Sequence, residues 1–566
     1  MGCAVPCDGE RSPLLGFRIS FVTRRRSFRA TLFRETFFGV FFPDNGIKSF
    51  VIQDRGQRRN RMRMKSVDTL LDVLHFADSH TAIVVPELGI NITYDSLRQQ
   101  VLDMANALAS AGIRRGDAVA IALPNGLPAI VTFLAASIAG TAAPLNPAYP
   151  YEEFHFFLGD TDARVLLCPA VGSEYVRTAA KDRKIPVFSV EMTEQGNVHL
   201  ANAPSNGATA TPPTADDIAL ILHTSGSTGR PKRVPLRHFN LAVSSANIAN
   251  TYALSPDDVS LCIMPLFHIH GLVGSTMSTL LTGGTIVVPT KFNALSFWRT
   301  VRENRVTWYS GVPTMHQLLM ARSRHKPVEA ETLRFIRSCS APLSAELIRK
   351  IEDVFGVPFV EAYGMTEAAH QMTSNPLPPR HRKAGSVGVG TGLQISIMDK
   401  EGNHLGTNQR GEIAIQGANV FRGYENNAEA NERAFTHGWF RTGDEGYLDS
   451  DCYLHLTGRM KDIIIRGGEN IAPHEVDEIL LRHPAVAAAV TFGCAHPTLG
   501  EEVAAAVVLH ERHGATEQEL INHCREFLAE FKCPRKIYLV DSIPTTATGK
   551  IRRRAVAAAL TDDQSG

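Results

Sequence analysis

The sequence has no apolar run approaching the ~18 residues that a bilayer-spanning helix needs. Its longest mild candidate, Ala129 to Ala143, is interrupted by Gly140 and reads as a buried helix running into a strand. It has no C-x-x-C pair. The nine cysteines are scattered, which excludes a zinc ribbon or a thioredoxin-type motif and suits free thiols in a reducing compartment. Net charge is nearly absent, at +1, so no global field favours nucleic acid or a membrane surface. No internal repeat or heptad is visible. What is there is 566 residues, 44% hydrophobic and 20% charged. That is the composition of a globular protein too long for a single core, and two or three domains are expected.

Residues 1–65 stand apart as a basic N-terminal extension. They are rich in Arg and Phe, as in Arg24-Arg25-Arg26 and Phe37-Phe38, and end in a basic run from Arg58 to Lys65. Acids are scarce between Arg11 and Pro43, so a targeting extension and a disordered tail both fit. Met1-Gly2-Cys3 invites N-myristoylation, but Pro6 stands where that signal wants Ser or Thr. The expected location is the cytoplasm, with mitochondrial or other organellar targeting as the alternative. The ending Asp563-Gln564-Ser565-Gly566 is not a peroxisomal tripeptide.

From Val67 the hydrophobic pattern becomes regular. Leu70, Leu71, Val73, Leu74 and Phe76 suggest an amphipathic helix. Thr93-Tyr94-Asp95-Ser96-Leu97 opens another, with Leu97, Val101, Ala105 and Leu108 on one face. Asp117 to Leu123 is a short apolar strand, followed by a helix from Pro128 and the loop Pro144-Leu145-Asn146-Pro147. This alternation argues for an α/β fold with parallel strands. Residues 192–215 are polar and read as a surface loop. A boundary falls near Thr457-Gly458-Arg459. Beyond it, Val476 to Leu481 and Glu517 to Phe531 look helical, and Val486 to Phe492 and Val503 to Leu509 look like strands. The expected division is a large domain over 66–457, a small α+β domain over 458–560 and a tail over 561–566.

The sharpest local feature is Leu222-His223-Thr224-Ser225-Gly226-Ser227-Thr228-Gly229-Arg230-Pro231-Lys232. A strand runs into hydroxyls, glycines and a lysine. Glycines let backbone N–H groups converge on an anion, hydroxyls add donors and lysine adds charge. The spacing is not that of a G-x-x-x-x-G-K-[ST] loop. Five further segments follow in order: Met264-Pro265-Leu266-Phe267-His268-Ile269-His270-Gly271, Glu361-Ala362-Tyr363-Gly364-Met365-Thr366-Glu367, Trp439-Phe440-Arg441-Thr442-Gly443-Asp444, Gly458-Arg459-Met460-Lys461-Asp462 and Pro544-Thr545-Thr546-Ala547-Thr548-Gly549-Lys550-Ile551.

This ordered set resembles the adenylate-forming, or AMP-binding, superfamily over about residues 67–560. That superfamily holds acyl-CoA and aryl-CoA ligases, adenylation domains of non-ribosomal peptide synthetases and firefly luciferases. The resemblance implies a large domain of parallel sheets flanked by helices and a small, mobile C-terminal domain. It also implies ATP, Mg²⁺ and coenzyme A as reactants or cofactors, with a small carboxylic acid as substrate.

An anion must attack a polyanion in such a reaction, so cations and preorganised donors should dominate. By the resemblance, Thr224, Ser225, Gly226, Ser227, Thr228, Gly229 and Lys232 hold the departing pyrophosphate. Thr366 contacts the α-phosphate and Glu367 holds Mg²⁺. Ser340, Ala341 and Pro342, together with Glu361, Ala362, Tyr363, Gly364 and Met365, line the nucleotide site, with Tyr363 on adenine. Asp444 accepts from the ribose, with Arg459 nearby. Lys550 bridges the acid and the α-phosphate. Lys461 is the hinge about which the small domain turns between adenylation and thioester formation. Arg466, Gly467 and Gly468 are assigned to CoA. In one departure, Arg233 stands where a glycine usually follows the loop lysine. The added side chain either crowds the turn or adds a cation.

The segments Phe335-Ile336-Arg337-Ser338-Cys339-Ser340-Ala341, Met365-Thr366-Glu367-Ala368-Ala369-His370-Gln371-Met372, Ser374-Asn375-Pro376-Leu377-Pro378 and Gly423-Tyr424-Glu425-Asn426-Asn427-Ala428-Glu429-Ala430-Asn431 look like the oxalate–CoA ligase branch. Oxalate has no apolar surface, so only donors can select it. His268, His270, Ser340 and His370 are the candidate acid-pocket donors, and His268 is also a candidate catalytic residue. Simpler readings stand beside these. His370 fits a satisfied core histidine. His268 and His270 form an H-x-H pair with no third metal ligand in view. Arg552-Arg553-Arg554 fits the solvated face of a terminal helix, a contact to CoA phosphates, or a nucleic-acid patch. Alternative functions are a CoA ligase for another small, medium-chain or aryl acid, a carrier-protein adenylation domain, a luciferase-like oxygenase, and a non-catalytic adenylate-binding scaffold.

Overall fold

The computed structural model describes residues 67–75, 79–204, 206–224, 231–323, 331–341, 343, 345–510, 514–545 and 551–561. The extension 1–65, Phe76, the loop residues Ser225, Gly226, Ser227, Thr228, Gly229 and Arg230, together with Pro342, Lys550 and residues 562–566, lie outside them.

Local sequence accounts for the first elements. Thr93 caps the helix Tyr94–Ser110, its side chain accepting from the Ser96 N–H at 3.2 Å. Leu97, Val101, Ala105 and Leu108 lie on its buried face. The helix Leu127–Ala139 has Pro128 in its first turn and is buried on all sides, as an apolar-all-round helix must be. It runs through Gly140 into the strand Thr141–Pro144. A Cβ on Gly140 would sit 2.5 Å from the Asp117 carbonyl oxygen, so only glycine fits this turn.

Among the described residues the strands form four sheets. A seven-stranded sheet runs in the spatial order Val198–Ala201, Val187–Met192, Ala163–Pro169, Ala118–Ile121, Thr141–Pro144, Ile218–Thr224, Lys232–Arg237. Its five central strands are mutually parallel and its two edge strands are antiparallel. A nine-stranded sheet has a parallel middle of Phe359–Met365, Phe335–Ser338, Trp308–Gly311, Val259–Cys262 and Thr285–Val287. The C-terminal ends of three of these parallel strands lead to Thr224, to the segment from Met264 and to Thr366, the usual position of ligands in open α/β sheets. A third, antiparallel sheet holds Trp439–Leu448 against Leu454–Arg459. In the C-terminal region, Val486–His496 pairs antiparallel with Gly500–Leu509, and the helices Pro473–Arg482 and Glu517–Phe527 share their core. The α/β architecture with a smaller C-terminal α+β layer agrees with the sequence.

Three elements differ in detail. Residues 192–215 include the strand Val198–Ala201, whose Val198 and Leu200 are buried. Gln100 side-chain oxygen accepts from the Val198 N–H at 2.9 Å and holds it there. Leu70–His75 is a 3₁₀ turn, tied at its start by the Asp72 carboxylate accepting from Asp68 and Thr69. The helix from Glu517 ends at Phe527 because Leu528 turns extended. No helix among the described residues is long and apolar enough to cross a membrane. Cys168, Cys262, Cys339, Cys494, Cys524 and Cys533 are free thiols.

Candidate active site

Thr224 ends its strand directly opposite Lys232, so the two residues flank the Ser/Thr/Gly loop. Thr224 Oγ1 donates to Glu367 Oε1 at 3.4 Å, and Tyr424 OH donates to the same oxygen at 2.8 Å. Lys232 Nζ sits 4.4 Å from the centre of the Tyr424 ring, a cation–π contact. Arg233, the departure noted above, is not a loose cation. Its guanidinium pairs with Glu425 at 3.0 Å, and its carbonyl accepts from the Glu425 N–H.

Thr366, Glu367 and Ala368 form a buried 3₁₀ turn at the end of Phe359–Met365. Burial pushes the Glu367 carboxyl up, opposed by its hydrogen bonds and by Arg459. Among the described residues no group of three or more His, Cys, Asp or Glu could hold a metal ion. A lone, buried carboxylate fits Mg²⁺, which takes one or two protein carboxylates and completes its shell with phosphate and water. Tyr363 OH donates to Asp444 Oδ2 at 2.5 Å, while Arg459 Nε donates to Asp444 Oδ1 at 2.7 Å. Burial, then the Asp444 charge, holds the Tyr363 phenol well above its ordinary range, so it stays a donor. Lys461 is exposed, yet its ammonium is pushed down by partial desolvation first, then by the cations of Lys232, Arg554, Arg459 and Arg433. Lys461 thus feels the charges of Lys232 and Arg459.

The acid-pocket candidates do come together. His270 and His370 are 0% and 2% exposed, and their rings stack with centroids 4.9 Å apart. His270 Nδ1 lies 3.3 Å from Ser340 Oγ. His268 is half-buried, and its Nδ1 accepts from the His270 N–H at 3.2 Å. Both buried rings are held well below the ordinary imidazole range by desolvation first and by Arg337 next, so both are neutral. With these hydrogen bonds in place the H-x-H metal reading finds no support. Ser340, Ala369 and His370 have φ of +78°, +49° and +105°. Such left-handed backbone in non-glycine residues stores strain and gathers at functional sites. Gly364 makes it feasible, since a Cβ there would meet the His370 carbonyl oxygen at 1.9 Å.

Sequence reasoning gave Arg337 no role, although it contacts both histidines. The available signal was an arginine inside the apolar strand Phe335–Ser338, where charged residues are rare. Ala341, Ala362 and Met365 stand at the same strand ends as the nucleotide candidates. Arg466 makes a two-pronged pair with Glu502 at 2.5 and 3.0 Å. Gly467 and Gly468 form the turn after it, at φ of +58° and +92°. Of the terminal arginines, Arg552 and Arg554 are exposed, whereas Arg553 binds Asp477 at 2.8 Å and pins the last helix.

The model of the AMP-binding enzyme family matches residues 75–425, and that of the AMP-binding enzyme C-terminal domain matches residues 475–550. The chain is 44% identical to an oxalate–CoA ligase of Arabidopsis thaliana, over 82% of this chain and 93% of that protein. It is 41% identical to an oxalate–CoA ligase of Saccharomyces cerevisiae, over 84% of this chain and 94% of that protein. Its fold is similar to the ATP-bound crystal structure of MatB from Rhodopseudomonas palustris. That match has a TM-score of 0.81 at 31% identity and covers 88% of this chain and 99% of MatB.

Glu361 offers a test of the site's electrostatics. It is 7% exposed, and burial pushes its carboxyl up to about 8 against the backbone N–H groups of Gly385 and Leu343. Its folded value therefore lies above its unfolded one, and the native state holds the extra proton in between. Stability from this group is full below about pH 4.3 and falls as pH rises toward about 8. In Glu361→Gln, melting temperature should fall less steeply between about pH 5 and 8 than in the parent. Parallel melting profiles for the two proteins would acquit Glu361.

Proposed function

The chain belongs to the AMP-binding enzyme family, and on that premise we propose that it is an ATP-dependent acid–CoA ligase whose acid is oxalate. One carboxylate oxygen attacks the α-phosphorus of ATP, releasing pyrophosphate and leaving an acyl-adenylate. The CoA thiol then attacks the acyl carbon, giving a thioester and AMP. The division of labour we adopt is a large domain over 66–457 and a small one over 458–560.

On this reading, Thr224, Lys232 and the intervening loop bind the leaving pyrophosphate. Glu367 holds Mg²⁺, which when bound screens phosphate charge. Thr366 donates to the α-phosphate. Asp444 has acceptor capacity beyond the two bonds it makes, enough for ribose hydroxyls. The cations at Lys232, Lys461 and Arg459 draw in the triphosphate. Lys550 is assigned to the charge that develops between acid and α-phosphate. Arg466, Gly467 and Gly468 are assigned to CoA.

The oxalate assignment rests on one observation, the stacked pair His270 and His370 beside Ser340, which on this reading walls the acid side. Such a group of side chains offers donors to a second carboxylate. Such polar sites reject analogues strongly because the buried donors are left unpaired. The identity to oxalate–CoA ligases of a plant and a yeast supports the same acid.

The expected result is AMP release in the presence of ATP, Mg²⁺ and CoA that is fastest with oxalate by ~10²-fold or more over acetate, octanoate and 4-coumarate. A longer or aromatic acid in first place would discard the polar pocket and keep the ligase. Turnover of none would favour the scaffold. Lys550→Ala should slow ATP–pyrophosphate exchange by ~10²–10³-fold. Lys461→Pro should keep that exchange and lose thioester formation, and equal loss of both half-reactions would remove the hinge role. For location we adopt the cytoplasm. A reporter fused behind residues 1–65 that entered an organelle would overturn this.

A further inference from the structure

Arg337 is 0% exposed, in the middle of the nine-stranded sheet. A guanidinium carries five N–H donors, no acceptor and a permanent charge. Here Nε donates to Tyr252 OH at 2.9 Å. Nη1 donates to Ser310 Oγ at 2.8 Å and to His270 Nε2 at 3.1 Å. Nη2 donates to His370 Nε2 at 2.9 Å and to Gln371 Oε1 at 3.0 Å. Every partner is neutral, and among the described residues no carboxylate pairs with this cation. Its hydrogen bonds are complete and its charge is not offset. Buried charges are ordinarily paired, because desolvation is costly.

The arrangement also settles where the imidazole protons are. Since the guanidinium can only donate, Nε2 of His370 must accept and that ring carries its proton on Nδ1; His270 Nε2, which lies 3.1 Å from Arg337 Nη1 and 2.6 Å from Ser310 Oγ, takes the same tautomer with both groups donating to it. The His270 Nδ1–H faces Ser340 Oγ. Among the described residues no acceptor pairs with His370 Nδ1. Gly274 leaves room for the pair, since a Cβ there would lie 2.6 Å from His370 Nε2 and 3.1 Å from His270 Cδ2.

We propose that Arg337 is a positioning residue that makes this enzyme select short acids with a second negative charge. It fixes His270 and His370 as Nδ1–H donors and supplies, through them, the positive charge that a second carboxylate offsets. The proposal rests on the acid–CoA ligase reading and defines its substrate class. Arg337 need not touch the acid, since its donors are all in use. Neutral imidazoles backed by a fixed cation are stronger donors than imidazoles alone. They also avoid the like-charge repulsion that two protonated rings stacked beside a guanidinium would suffer. The titratable groups acting on the two rings are Arg337, His268 and His316, together with the rings themselves, and none is acidic.

The test uses acids matched in shape and differing in charge, oxalate against oxamate and malonate against malonamate, with AMP release as readout. The parent should prefer the dianion in kcat/KM by ~10²-fold. Arg337→Gln keeps an amide donor and loses the charge. It should raise the KM for the dianion ~10²-fold and shift that for the monoamide by less than ~3-fold. In that variant the dianion's kcat/KM should also rise as pH falls from about 8 to about 6, because an imidazole relieved of the neighbouring cation can protonate and replace it. The parent's dianion-to-monoamide ratio should stay flat over that range. Arg337→Lys should keep most of the preference.

A parent without the preference would overturn the proposal and leave the ligase reading standing. So would an Arg337→Gln variant that loses both acids equally while melting like the parent. If no acid turns over, the ligase reading falls. Thermal shift of the parent then decides the proposal: stabilisation by oxalate and not oxamate supports it, and equal or no stabilisation by the two overturns it.

Discussion

The hydrogen bonds of one guanidinium hold together chain segments that are far apart in sequence. Arg337 on Phe335–Ser338 reaches Tyr252 after the helix His238–Thr251, Ser310 on Trp308–Gly311, His270 at the head of a π-helix, and His370 and Gln371 on His370–Ser374. Gln371 extends the network, since its Oε1 also accepts from Tyr252 OH at 3.0 Å. Tyr252 OH lies 2.8 Å from Ser374 Oγ in turn. These are the segments that carry the proposed acid side of the site. A change in the register of any one would leave buried donors unmatched, which costs more than the bonds themselves contribute.

The nucleotide side is built on a different electrostatic plan. There the carboxylates of Glu367 and Asp444 are met by hydroxyl donors or a guanidinium, and cations stand at its edge. Both signs are needed, because ATP brings a polyanion with its metal and a ribose with donors. On the proposed acid side only positive charge is fixed. Two sites that share one sheet edge are therefore distinguished by which charge is left without a partner. The turn Thr366–Ala368 lies between them, with His370 only three residues beyond Glu367. The distortion at Ala369 and His370 separates the two environments over that short span.

Much of this was legible in the sequence because it is carried by local signals. Thr93 as a helix cap, the all-apolar run before Gly140 and the strand leading to Thr224 each follow from short-range rules, and the structure has them. The strand Val198–Ala201 was missed because it is only four residues long within a polar stretch, although it pairs antiparallel with the preceding strand Val187–Met192 and takes a further bond from Gln100. The short 3₁₀ turn at Leu70 was misjudged because its apolar spacing is common to several helix types. On the candidate site, ordered motifs pointed to the residues around Thr366, Asp444 and His370. They were silent on Arg337, whose meaning depends on which side chains surround it. Nothing in the spacing indicated that Glu425 would take the charge of Arg233.

The persistence of charge at position 337 is itself informative. If the only requirement were a stable sheet, an apolar side chain with apolar neighbours would do as well or better, since buried ionic groups are often replaced without loss. Instead the protein surrounds a cation with Tyr252, Ser310, Gln371 and two histidines, all of them buried. It also keeps strained backbone at Ser340 and His370, where the same network meets the pocket. A carboxylate placed beside Arg337 by the protein would have relieved the desolvation directly. It would also have cancelled the field at the histidine pair. Leaving that cation without an anion makes sense when the missing anion arrives with the substrate, and it makes binding of a second carboxylate the step that completes the core.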